Sequence, residues 1–95
     1  MRLKFEWDEN KNAVNIRKHK IDFEDIPELF QKPMLIDYDG RQNYGEERWL
    51  GIGLLHNVAV AVVFTERGES TIRIISARKA TKEERRQYDE RIFQN

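Results

Sequence analysis

Arg73-Ile74-Ile75-Ser76-Ala77-Arg78-Lys79-Ala80-Thr81 reads as a strand that ends in two adjacent cations and then turns into a helix. Thr81 is a helix N-cap, and Glu84 three residues on completes a capping box. The helix after it spans about residues 82–93 and is mostly charged, with a thin apolar stripe of Tyr88, Ile92 and Phe93. A helix this polar packs weakly or awaits a partner. Stability gives a domain no reason to gather basic groups where a strand meets a helix. The placement suits an anionic ligand, and an RNA phosphate is the favoured one. Arg78 and Lys79, beside the free N–H groups of the helix start, form the expected phosphate site.

Upstream, Glu66 to Ser70 is a Gly-containing hairpin turn leading into a strand over Thr71–Ala77. Val58 to Thr65 is the most apolar run. Val58, Val60, Val62 and Phe64 share one face and Ala59, Ala61 and Val63 the other, so this strand is central and covered on both sides. His56-Asn57 is a tight turn, and Arg48 to Leu54 alternates with Leu50, Ile52 and Leu54 together. Asp39 to Glu47 is a polar loop, and Met34 to Tyr38 a strand. Asp22 opens a helix through Phe23, Ile26, Leu29 and Phe30, in which Pro27 is expected to bring a kink or a late start of the regular helix. Asp8 caps a helix over residues 9–19 whose buried stripe is expected to be Ala13, Val14 and Ile16. Leu3 to Trp7 is a short strand. The sum is an α+β domain over residues 1–95: a short N-terminal strand, two helices, an antiparallel four-strand meander and a C-terminal helix.

Composition narrows the function. There is no cysteine and there are two histidines, which excludes disulfides and thiolate zinc sites. No stretch reaches the ~18 apolar residues of a membrane span. Met1-Arg2-Leu3-Lys4-Phe5 enters folded-looking sequence with no signal peptide, so a cytoplasmic protein is expected. Net charge is zero, yet residues 1–47 carry 8 Lys+Arg against 11 Asp+Glu, and residues 48–95 carry 9 against 6. A local basic patch binds phosphate even when the total cancels.

Phe5-Glu6-Trp7-Asp8, Lys18-His19 with Ile21 and Phe23-Glu24, Arg73 to Arg78, and Glu84-Arg85-Arg86 with Tyr88 together resemble the BrnT family. The resemblance implies a toxin of a bacterial type II toxin–antitoxin pair, with a fold like the RelE ribonucleases. It implies RNA cleavage without a cofactor, and a DNA-binding BrnA-type antitoxin as partner. DNA is then reached only through the antitoxin, and a dimer within the complex is possible.

RNA cleavage by its own 2′-hydroxyl needs cations at the phosphate and a group that moves a proton. A histidine ordinarily titrates near neutrality, so His19, ending the first helix, is the proton-transfer candidate; its plain alternative is a cap on helix carbonyls. Arg73, on an otherwise apolar strand, is a phosphate fork or the partner of an acid such as Glu6 or Asp37. Tyr88 is a site residue by the RelE-like resemblance, or the packing anchor of its helix. Lys11, Asn15 and Lys18 make a polar row that could flank the cleft, and Arg48 and Arg67 could add phosphate contacts. Tyr44 and Trp49 are candidates for stacking on bases, whereas Trp7 reads as core and His56 as surface. The competing reading is a non-catalytic module that binds RNA or protein through the basic patch and the polar last helix.

Overall fold

Every N–H and C=O of a central strand is taken by its neighbours, and side chains that are apolar on both faces must be covered on both. Val58–Arg67 meets these conditions and lies in the middle of a five-stranded sheet. The computed structural model describes residues 2–40 and 45–93, and of Phe93 the backbone alone. Its elements are β1 (Lys4–Glu6), α1 (Glu9–His19), a 3₁₀ segment (Phe23–Gln31), β2 (Leu35–Tyr38), β3 (Trp49–Leu55), β4 (Val58–Arg67), β5 (Thr71–Lys79) and α2 (Lys82–Tyr88), which runs on as a π-helical turn, Asp89–Phe93. The strand order is β1-β5-β4-β3-β2. β2 to β5 form an antiparallel meander, and β1 joins β5 in parallel. His56 and Asn57 form the β3–β4 turn with both φ angles positive (50° and 68°), as a type I′ hairpin requires.

One face of the sheet is covered by the 3₁₀ segment, where an α-helix kinked at Pro27 was expected. The reason lies in the spacing. Phe23, Ile26 and Leu29 recur every third residue, and in a 3₁₀ helix such residues eclipse into a single row. All three are buried against Val60, Val62, Phe64, Ile72 and Ile74. Pro27 removes a donor that an α-helix would need. Phe30, off that row, packs against the same core, with its ring 5.1 Å from Phe64 and 5.2 Å from Phe5. The bare Gly51 of β3 makes room: a Cβ there would lie 2.7 Å from Met34 Cε. The other face carries a smaller cluster of Leu35, Ile52 and Tyr88, joined by Leu54, Ala80 and Ile92. The Thr81–Glu84 capping box forms as expected, though α2 proper is only seven residues long.

α1 overturns an expectation. Asp8 caps it, accepting from the N–H groups of Asn10 (2.8 Å) and Lys11 (3.1 Å). Its buried residues are Asn12 and Asn15, while Val14 and Ile16 are 41% and 37% exposed. The helix does not lie on an apolar sheet face. It runs beside β5 past Arg73, where pairing with β1 stops, and a strand edge there offers backbone donors and acceptors rather than apolar surface. Asn15 answers with an amide. Its Nδ2 donates to the Ala77 carbonyl (2.9 Å) and the Ile21 carbonyl (3.0 Å), and its Oδ1 accepts from the Ala77 N–H (3.1 Å). Asn12 likewise accepts from the Phe23 N–H (2.9 Å) and donates to Asp22 (2.9 Å).

Candidate functional site

The Asn15–Ala77 clasp decides what meets what. His19 lies one helical turn beyond Asn15 on the same side of α1, and Arg78 is the next residue after Ala77. Fixing the one pair brings the other together. The result is an open concavity of about 490 Å³ lined by Lys18, His19, Lys20, Arg78 and Lys79. Four cations and one imidazole face a common space, and no carboxylate is among the lining residues. His19 itself is half-buried.

Arg78 enters this space already held. β5 runs to Lys79, two residues beyond its expected end, so Arg78 is a strand residue rather than part of a loop before the cap. Its Nη1 and Nη2 donate to the two carboxylate oxygens of Glu84 at 2.8 and 2.9 Å. Glu84 Oε1 also accepts from the Thr81 N–H at 2.8 Å. The start of α2, expected to receive the phosphate together with Arg78, is therefore filled by the protein's own carboxylate. The rest of the concavity's lining, Lys18, His19, Lys20 and Lys79, comes from the end of α1 and the last residue of β5.

Hydrogen bonds from the Arg78 guanidinium, followed by the Thr81 N–H, hold the Glu84 carboxyl below its ordinary range against the opposing effect of burial. A depressed folded-state value stabilises above the unfolded pKa, near 4.5, and that stability is lost as pH falls through the folded value. Wild type therefore loses stability on acidification over this interval, and Glu84→Gln loses less of it there. Denaturant melts of both proteins from pH 6 to pH 3 measure the difference; parallel curves would refute it.

Lys20 was not foreseen from the sequence. It caps α1 in the left-handed conformation at φ 61°, a position normally given to glycine. The strain is the signal that was available: a helix stop with a lysine where glycine fits better. Lys20→Gly is expected to stabilise the fold by about 0.5–1 kcal/mol, since the left-handed cost of a Cβ exceeds the extra unfolded freedom of glycine. If the concavity holds RNA, the same change is expected to weaken RNA binding, since it removes one of the lining cations. A thermal melt and an RNA titration on the one variant separate the two effects.

A family model described as the ribonuclease toxin BrnT of type II toxin–antitoxin systems matches residues 7–84. This chain belongs to the BrnT family. The crystal structure of the Brucella abortus ribonuclease toxin BrnT is similar at a TM-score of 0.70 and 30% identity, covering 84% of this chain and 99% of that one. No match was found among the curated proteins. The BrnT match takes in all five residues of the basic concavity and Glu84, and stops short of Tyr88. BrnT proteins being toxins of type II pairs, an antitoxin partner is implied.

The other candidate residues of this BrnT chain lie elsewhere. Arg73 is bound to Glu6 (3.0 Å) where β5 pairs with β1, and does not line this concavity. Tyr88 is 3% exposed and anchors α2 on Leu35 and Ile52; its phenol is pushed up by burial. It borders a separate concavity with His56 and does not meet His19. Arg67 sits at the β4–β5 turn, 3.5 Å from Glu46. Arg48 is half-buried just before β3, and its carbonyl accepts from the Asp39 N–H. Trp49 packs edge-on against Tyr38 (5.5 Å) and against the core, so its ring is committed. Tyr44 lies outside the described residues. Lys11 and Lys18 do flank the cleft, whereas Asn15 between them is the buried clasp. Much of the positive charge gathered in residues 73–91 is cancelled locally: Arg85 pairs with Asp89, and Arg86 with Glu83 and Glu90. Among the described residues no group of three His, Cys, Asp or Glu comes together to hold a metal, and no helix is long and apolar enough to cross a membrane.

Proposed function

We propose that the concavity between the C-terminal end of α1 and the end of β5 binds the scissile phosphodiester of RNA, and that the protein is a metal-independent endoribonuclease. The observation that carries the proposal is the lining itself: one imidazole set among Lys18, Lys20, Arg78 and Lys79. His19 takes the proton of the ribose 2′-hydroxyl. The 2′-oxygen attacks phosphorus, the P–O5′ bond breaks, and a proton is returned to the departing 5′-oxygen. The products are a 2′,3′-cyclic phosphate and a 5′-hydroxyl. The cations stabilise the charge that builds on the non-bridging oxygens. Arg78, fixed by Glu84, presents its guanidinium edge without the reorganisation a free side chain requires.

The protein acts as one RelE-like toxin domain over residues 1–95, in the cytoplasm. A BrnA-type antitoxin silences it and provides the contact with DNA, and within that complex the protein is a dimer. The antitoxin covers the basic concavity with acidic groups, so association weakens as salt rises.

Purified protein incubated with end-labelled RNA and excess chelator should yield cyclic-phosphate ends. A 2′-deoxy substitution at the cut position should abolish cleavage there. Cleavage of the deoxy substrate, or activity lost to the chelator, would refute the mechanism. One observation favours a second reading: Arg73 and Arg78 each have a carboxylate of their own, as suits a module that binds without cutting. Saturable RNA binding with intact RNA after long incubation would select it.

A further inference from the structure

Two anomalies of this chain meet in one place. β4 and β5 slip register between Val63 and Phe64: Val63 pairs with Ser76 and Phe64 with Ile74, leaving Ile75 without a partner. Such a bulge re-aims the extra side chain. On α1, Val14 faces outward at 41% exposure. Ile75 and Val14 both line a second concavity of about 390 Å³, directly beside the basic one and sharing Lys18 and His19 with it. Its far end holds Asp8 and Asn10.

We propose that this second concavity is a nucleobase subsite, which seats the base of a nucleotide next to the scissile phosphate. The inference rests on the ribonuclease reading and adds what that reading lacks, a place where sequence is read. Val14 and Ile75 supply apolar walls for the faces of a base, which stack with little regard to identity. The volume is within the roughly 300–1,000 Å³ of small-ligand clefts. The basic compartment carries four cations and no carboxylate, whereas the second sets Asp8 against Lys11 and the shared Lys18. The phosphate goes to the more cationic compartment, and Asp8 is left to meet the base. Asp8 Oδ1 caps α1, and its second oxygen accepts from N–H groups on the edge of a base. Adenine, cytosine and guanine present an exocyclic amino group, whereas uracil offers its ring N3–H between two carbonyls that a carboxylate repels, so the subsite favours an amino-bearing base over uracil. Asn10 adds an amide at the same edge.

The test combines binding and cleavage. Methyl and imidazole NMR shifts are followed during titration with each of the four nucleoside monophosphates, as 3′ and 5′ isomers, and with ribose 5-phosphate. Nucleotides should move Val14, Ile75 and His19, and ribose 5-phosphate His19 alone. Val14 and Ile75 signals that stay still, or that move equally with ribose 5-phosphate, overturn the subsite. For cleavage, Asp8→Asn keeps a good helix cap while exchanging one carboxylate oxygen for a donor. It should shift the cut-site profile toward uracil by about tenfold, the size of one polar contact's discrimination. Val14→Ala, at an exposed position, should raise KM with little change in kcat. A wild type that cuts RNA with the same base profile as both variants overturns the subsite and leaves the ribonuclease reading standing. A wild type that shows the nucleotide shifts and cuts no RNA sinks the ribonuclease reading and supports the subsite.

Discussion

His19→Ala is expected to lower the rate of RNA cleavage by about 10²–10⁴-fold, the usual worth of a positioned proton-transfer group, and to leave the melting temperature close to that of wild type. The side chain is half-buried at the end of α1 and belongs to neither core cluster, so its removal opens no cavity. The loss should fall on kcat, because the cations that hold the phosphate remain. Arg78→Ala and Lys79→Ala make the comparison informative. Arg78 is a planar fork oriented by Glu84, whereas Lys79 is an exposed point charge. Arg78→Ala should therefore cost at least ten times more activity, and Arg78→Lys should recover little of it, since an ammonium cannot reproduce bidentate contact. Single-turnover rates on labelled RNA decide the matter, with circular dichroism confirming that α2 survives the loss of its tie to β5. An active His19→Ala protein, or equal effects at 78 and 79, would mean that summed charge is all the concavity supplies.

The largest stability effect belongs to a residue without chemistry. Asn15→Leu is expected to destabilise the fold by about 3–5 kcal/mol, because both backbone groups of buried Ala77 and the Ile21 carbonyl lose their partner at once. Asn15→Asp is the sharper variant. It keeps the shape and the acceptor toward the Ala77 N–H, but turns a carboxylate oxygen on two carbonyls in a buried site. It should be at least as damaging as leucine at neutral pH and partly relieved in acid. Urea midpoints for the three proteins measure this; a leucine variant as stable as wild type would show that water replaces the amide at no cost. Partly unfolded Asn15 variants should also lose activity, since the clasp is what sets His19 opposite Arg78.

The elements that satisfy themselves locally were legible from the sequence. β4 is apolar on both faces, and Asp8, Asp22 and Thr81 form their caps with nearby backbone. What needed the tertiary structure was less visible. Val14 and Ile16 carried the only apolar pattern on α1, and no periodicity in residues 9–19 announces that the helix will meet a strand edge and turn its asparagines inward. The three-residue period of Phe23, Ile26 and Leu29 was present, but Pro27 was read as a fault in an α-helix rather than a reason for another kind. For the site, His19, Arg78, Lys79 and Lys18 were identified and line one concavity, while Lys11 lines the neighbouring one. Arg73, Arg48, Arg67 and Tyr88 were not distinguishable from them by residue type. Folding decides between readings left open by the sequence: Glu6 takes Arg73 and Tyr88 is packing, and it adds that Glu46 takes Arg67.

The asparagine clasp also has a bearing on how this chain behaves in a crowd. β1 shields only Thr71 to Arg73 of the β5 edge, and a bare strand beyond it would invite a neighbour to add its own. With the Ala77 amide and carbonyl taken by a side chain of the same molecule, that rim is closed to fibril-like stacking. Asn15 thus serves as a built-in terminator for this stretch of the β5 edge, taking with one side chain the backbone groups at Ala77 that an added strand would need.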